Sequence, residues 1–212
     1  MRYNVVKDAQ KIIRKSSYIV ENPKNYKNQW ASLFGNQNPI VLELGMGRGE
    51  FLKGMAKKYP NKNFIGLELD ENQIATAASK MESTNLKNVK LIHADALEVD
   101  QIFGKEIDTI YLTFSEPWPK PHDEKKRFTH PGFLRLYDKI FKKHKHIVLK
   151  TDNKKLFAYS LETLSQYWYS FERVSLDLHR DENPIDNVMT DFETQYYKEG
   201  RPIYYVDAKF EG

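Results

Sequence analysis

Apolar residues recur along this chain in two rhythms, short continuous runs and stripes at helical spacing. "PIVLEL", Pro39 to Leu44, is a short apolar run bounded by turn residues and predicts a buried strand. "RGEFLKGMAKKYP" follows, with Phe51, Leu52, Met55, Ala56 and Tyr59 at helical spacing and Pro60 as the stop. "NFIGLEL" predicts the next strand, and "ENQIATAASKMEST" a helix with Ile74, Ala77, Ala78 and Met81 on one stripe. "VKLIHA" and "IDTIYLTF" predict the third and fourth strands. "PGFLRLYDKIFKKH" reads as a helix leading to a fifth strand, "HIVLKT". "NKKLFAYSLETLSQYW" predicts a long amphipathic helix whose stripe is Leu156, Tyr159, Leu164 and Trp168. The alternation then changes: "FERVSLDL" is a strand, a polar loop and a short helical stretch follow, and "PIYYVDAKF" is a last strand. Strand–helix units with two late strands predict an α/β fold on a seven-stranded, mostly parallel sheet, helices on both faces and a late antiparallel strand. In such a sheet ligands bind at the carboxyl ends of the strands.

No repeat, low-complexity tract or linker divides the 212 residues, so one domain is expected, with residues 1–38 as a helical extension on a core of residues 39–212. With 40% hydrophobic and 29% charged residues the composition is that of a soluble globular protein. No run approaches the roughly 18 uncharged apolar residues of a membrane span. The first twenty residues carry charges throughout, which excludes the apolar stretch of a signal peptide. Cysteine is absent, which removes disulfides, thiolate metal sites and a cysteine nucleophile and fits a cytoplasmic protein. His93, His122, His130, His144, His146 and His179 show no metal-ligand spacing, so no metal is expected. The net charge of +4 alone decides nothing, but Lys120, Lys125, Lys126, Arg127, Lys139, Lys142, Lys143 and Lys145 crowd the middle of the chain. Such a face suits a nucleic acid; a solvated helix surface is the plainer reading.

The candidate chemistry lies at the predicted strand ends. "ELGMGRGEF", Glu43 to Phe51, sets Gly45, Gly47 and Gly49 between a strand and a helix, where glycine lets the main chain approach a ligand closely. The third glycine comes one residue too early for a dinucleotide turn, and Glu50 would repel a pyrophosphate at the helix start. Glu68 ends the second strand about 20 residues further on, where an acid can accept from both ribose hydroxyls. Asp95 at the third strand end can accept from an adenine amino group, and Glu43 can face a cationic amino-acid end. Three acids on three successive strand ends make a coherent site for a cationic nucleoside. At the fourth strand end, "TFSEPWPKP" stiffens the chain with Pro117 and Pro119 around Glu116. Glu116 can accept from N1–H and the exocyclic amino group of a guanine, which leaves N7 free on the opposite edge. Trp118 offers a flat apolar surface beside it, or packs on the core.

The chain resembles the bacterial tRNA (guanine-N7)-methyltransferase family, whose glycine turn, fourth-strand N-F-x-D-P-W-P-K motif, K-T-D segment and late T-x-[FY]-E segment recur in order. They stand here as "ELGMGRGEF", "TFSEPWPK", "LKTDN" and "TDFETQYY", and the likeness runs from Ile40 to Phe210. It implies a Rossmann-like S-adenosylmethionine methyltransferase fold, with Glu43, Gly45, Gly47, Gly49, Glu68, Asp95 and Glu116 around S-adenosylmethionine and Glu116 as the catalytic acid. It also implies substrate contacts from Lys120, Asp152, Thr190, Asp191, Phe192 and Glu193, and RNA contacts from Lys125, Lys126 and Arg127. tRNA is the implied partner, through a guanine of its variable loop, with no membrane, no obligatory partner subunit, and a monomer or homodimer. The sequence departs from the family pattern at Thr113, which replaces asparagine, and at Glu116, which replaces aspartate. Pro121, His122 and Asp123 replace part of the basic run. Three rivals remain: a methyltransferase of this fold with another substrate, an RNA-binding protein with weak or no turnover, and a nicotinamide oxidoreductase, which the glycine spacing disfavours.

Overall fold

A computed structural model describes residues 6–182, 185 and 187–210. The first five residues of the expected N-terminal extension lie outside the described residues. The extension carries helices α1 (Ala9–Lys15) and α2 (Trp30–Phe34). Strand β1 (Ile40–Leu44), helix α3 (Glu50–Lys58), β2 (Asn63–Glu68), α4 (Glu71–Glu82) and β3 (Val89–His93) follow as the pattern predicts. A short helix α5 (Val99–Ile102), absent from the sequence reading, precedes β4 (Thr109–Thr113). Then come α6 (Pro131–Tyr137), β5 (Lys145–Thr151), α7 (Lys154–Gln166), β6 (Ser170–Ser175), α8 (Asp191–Lys198) and β7 (Tyr204–Phe210).

Among the described residues seven strands make one sheet in the order β3-β2-β1-β4-β5-β7-β6. β1 pairs parallel with β2 and β4, β2 with β3, and β4 with β5. Only β7 is reversed, antiparallel to both β5 and β6. The expected mostly parallel sheet with a late antiparallel strand is therefore the observed one. The order of strands changes direction between β1 and β4, and this switch opens the crevice that a doubly wound sheet offers a ligand.

Each parallel strand buries both faces, so it reads as a continuous apolar run. Leu42, Leu44, Ile65, Leu67, Ile110, Leu112, Ile147 and Leu149 face one core with Phe133 and Leu134 of α6 and Phe157 and Leu164 of α7. Val41 and Phe64 face the other, with Phe51, Leu52 and Met55 of α3 and Ile74, Ala77, Ala78 and Met81 of α4. Side-chain caps start the helices: Asp70 accepts from Gln73 N–H and Asn153 from Leu156 N–H. Tyr18 and Val20 hydrogen-bond Leu91 and cover the β3 edge. Trp30 is fully buried, its indole N–H donating to Ile102 O at 3.1 Å.

Two helices are shorter than the apolar stripes predict. α6 ends at Tyr137 because the chain turns inward: Ile140 and Phe141 are buried, and Phe141 bridges Ile107. α7 ends at Gln166, and Trp168 adopts a left-handed backbone with 81% of its surface exposed. Leu156 and Leu164 are buried and Tyr159 is half-buried, so the stripe is real but stops short of Trp168. Among the described residues no helix is long and apolar enough to cross a membrane.

Candidate active site

The glycine turn leaves β1 and starts α3. Gly45, Gly47 and Gly49 have φ of 67°, 56° and 71°, the left-handed region that side chains disfavour. At Gly45 a Cβ would also meet the Phe128 ring at 3.1 Å. The amides of Gly45 and Met46 donate to Leu67 O, which ties the turn to β2. Glu68 braces the same turn: Oε2 accepts from Gly47 N–H at 2.9 Å, and Oε1 from the amides of Leu69 and Asp70 at 2.8 Å each. A carboxylate oxygen has two lone pairs, so Oε2 keeps one acceptor position. Asp95 is half-buried and caps the turn after β3 through Leu97 N–H at 2.9 Å.

Beside these acids stand two apolar side chains that the sequence reading missed. Leu69 is 61% exposed and Leu97 57% exposed, one directly after Glu68 and the other two residues after Asp95. His93 Nε2 lies 3.0 Å from Leu69 O. A leucine at a strand end carries no signal of its own; its meaning comes from the acid it follows. Acceptors flanked by exposed leucines suit a nucleoside that stacks and hydrogen-bonds at once.

Glu43 lies deeper than the sequence suggested. It is 1% exposed, on the sheet face that α3 covers, and Thr113 Oγ1 donates to its Oε1. The Leu52 amide and the Lys150 ammonium also stabilise its charge, and among the described residues its Oε2 has no hydrogen-bond partner. Burial outweighs these neighbours and pushes its pKa from the ordinary 4.5 up to about 8. A buried carboxylate oxygen without a partner is what a cationic ligand can satisfy.

On β4, next to β1, the chain leaves the sheet through two left-handed residues, Phe114 (φ 51°) and Trp118 (φ 43°). Backbone held in this region clusters at functional sites. Phe114 N–H donates to Lys150 O at 2.8 Å. Arg127 reaches back with two hydrogen bonds to Trp118 O, at 3.2 and 3.0 Å, while its guanidinium lies 4.4 Å from the Tyr159 ring centre. Lys126 sits 4.6 Å from the Trp118 ring and pairs with Asp123 at 2.7 Å. Glu116, Lys120 and Lys125 are exposed. Arg127 is thus committed to holding the loop, whereas Lys120, Lys125 and Lys126, the last with a side chain 56% exposed, face solvent.

At the β5 end, Asp152 pairs with Arg201, whose guanidinium lies 4.0 Å from the Tyr196 ring. Tyr196 of α8 in turn meets Phe114 at 5.9 Å, which brings α8 against the β4 loop. Thr190 caps α8 by accepting from Glu193 N–H, Asp191 is exposed, and Phe192 stacks on Tyr196 at 6.4 Å. Glu193 is fully buried and does not meet the open surface. The mid-chain basic cluster divides in space. Lys142, Lys143 and His144 precede β5, at the end of the sheet away from Thr151. A seven-residue strand separates the groups by roughly 20 Å. Lys139 and Lys145 of that group are paired with Asp100 and Asp138. Two open grooves on the described surface flank α1, one of them reaching Glu71 and Asn72 at the start of α4.

This sheet order, with a glycine turn after β1 and acids at the next strand ends, defines the methyltransferase type of α/β fold. A solved structure of an antibiotic-related methyltransferase has the same fold, at 19% identity and a TM-score of 0.66, over 90% of this chain and 96% of that one. A family described as putative methyltransferase matches residues 37–206. The tRNA (guanine-N(7)-)-methyltransferase of Oceanobacillus iheyensis is 42% identical over 205 residues, 96% of each chain. That of Alkaliphilus oremlandii is 40% identical over 212 residues, the whole of each chain. The chain belongs to this family of tRNA (guanine-N(7)-)-methyltransferases.

Proposed function

We infer that the protein transfers a methyl group from S-adenosylmethionine to N7 of a guanine in the variable loop of tRNA. The observation that carries this reading is the kinked Phe114–Trp118 loop, which presents an exposed Glu116 at the strand end next to the glycine turn. S-adenosylmethionine supplies, when bound, an electrophilic methyl on a sulfonium that leaves as a neutral thioether. Glu68 and Asp95 are the acceptors for its ribose and adenine, Leu69 and Leu97 the apolar walls, and Glu43 the acid for its cationic end. Gly45, Gly47 and Gly49 let the main chain close on it.

Guanine N7 already has a free lone pair, so no base is required to remove a proton. The work of the protein is alignment, and holding reactants in line supplies roughly 7–11 kcal/mol of a barrier. Glu116 accepts from the Watson–Crick edge of the guanine and turns N7 towards the methyl. It also stabilises the positive charge that develops on the base. Lys120 and Lys125 hold phosphates, while Arg127 keeps the loop in shape. Asp152, Thr190, Asp191 and Phe192 line the substrate side. The whole chain acts as one catalytic unit, in the cytoplasm, with the N-terminal extension as a buttress.

Incubation with unmodified tRNA and methyl-labelled S-adenosylmethionine, followed by mapping of the labelled base, tests the reading. Label at N7 of a variable-loop guanine is the expected result. Label at another atom or in another molecule, or none, overturns it.

A further inference from the structure

Lys150, at the end of β5, is 2% exposed, yet its ammonium fills all three donor positions. It donates to Glu193 Oε2 at 2.7 Å, to Val188 O at 2.9 Å and to Asn187 Oδ1 at 3.0 Å. It lies 4.6 Å from the Phe51 ring, on the same sheet face as Glu43. Glu193 spends its other oxygen inward too: Oε1 accepts from Asn187 Nδ2 at 2.6 Å and stands 3.1 Å from His179 Nε2. No part of this carboxylate is open to a substrate. The fit on α3 is equally close, since a Cβ on Gly54 would stand 2.3 Å from Val188 Cγ1.

A buried ion pair adds little net stability over apolar residues of the same volume. It does select one arrangement, because any slip leaves two buried charges without partners. We propose that Lys150 and Glu193 are positioning residues whose pairing fastens the first turn of α8, and with it Thr190, Asp191 and Phe192, beside the strand ends. The late T-D-F-E segment then divides by role: its first three residues serve the substrate side, and Glu193 is their anchor to the sheet. This rests on the tRNA reading above for the identity of the substrate, but the anchoring itself is a property of the protein alone.

The test is hydrogen exchange on the free protein, with Lys150→Met and Glu193→Gln compared with the parent. Exchange at the amides of Glu193 and Thr194 is expected to quicken roughly tenfold in each variant while β1 and β2 keep their protection. The KM for tRNA should rise by a similar factor, the affinity of Glu193→Gln for S-adenosylmethionine should stay within about twofold, and the double variant should be no worse than the poorer single one. Parent-like exchange in the folded variants overturns the proposal, with or without a loss of tRNA affinity; such a loss alone would make Glu193 a direct contact. Should Lys150→Met fail to fold, Glu193→Gln, which keeps size and shape, decides the matter. Because exchange is read without RNA, a parent protein that ignores tRNA would sink the functional reading and leave the anchor standing.

Discussion

At the residue scale, Glu43 couples acidity to folding. Its folded pKa of about 8 lies above the ordinary 4.5, so the folded state holds a proton that the unfolded chain has released. The stability tied to this group is whole below about pH 4.5 and drains away as pH rises to about 8, by up to roughly 1.4 kcal/mol per pH unit. Glu43→Gln removes the titration. Urea unfolding of the two proteins at pH 5 and pH 8 should show the variant gaining on the parent at the higher pH; a constant difference would mean that Glu43 is ionised throughout. A cationic ligand beside it should drive the proton off. Calorimetry near pH 7 in buffers of different ionisation heat should therefore register proton release when S-adenosylmethionine binds. Glu116 is the contrasting acid, exposed and free to meet a base. Glu116→Ala should lower kcat on tRNA by roughly 10²–10³-fold with unchanged cofactor affinity; unaltered turnover would remove it from the reaction.

Among the elements, the loop from Phe114 to Arg127 separates shape from charge. Arg127→Ala frees the Trp118 carbonyl and should lower kcat, because a misplacement near 1 Å costs about 10²-fold. The slope of tRNA affinity against salt should hardly change. Lys125→Ala should leave kcat alone and flatten that slope by about 0.7 to 0.9 for the one phosphate lost. Filter binding at several salt concentrations distinguishes the two, and identical slopes would make Arg127 and Lys125 equivalent. Strands such as β1 and β2 were legible because burial on both faces leaves them as unbroken apolar runs. Helix ends were not, since Ile140 and Phe141 continue a helical stripe while their backbone turns away to meet Ile107. Trp168 extends a stripe too, but the helix has ended before it, and periodicity carries no information about where hydrogen bonds stop.

Across the whole molecule, the candidate site joins residues far apart in the chain. The strand-end acids could be named from sequence because each lies at or just beyond the end of its own strand. The depth of Glu43 and the closure of Glu193 could not, because they depend on what packs over each side chain in the folded chain. The contact of α3 with Val188 is a further case, and it carries a prediction. Gly54→Ala improves helix propensity by about 1 kcal/mol but pushes a methyl into Val188, a clash typically costing 1–3 kcal/mol. Net destabilisation is expected in urea unfolding, and a more stable variant would show that α3 and this segment part easily. The three tryptophans follow from the same architecture and occupy three different surroundings. Trp30 is sealed in the core, Trp118 lies half-buried under a lysine on the Glu116 loop, and Trp168 stands almost wholly in water. Their emission should therefore separate by colour and by access to a dissolved quencher. With Trp30 and Trp168 replaced by phenylalanine, the remaining indole becomes an optical reporter of the β4 loop, and the arrival of a nucleobase could be followed there in real time without a label.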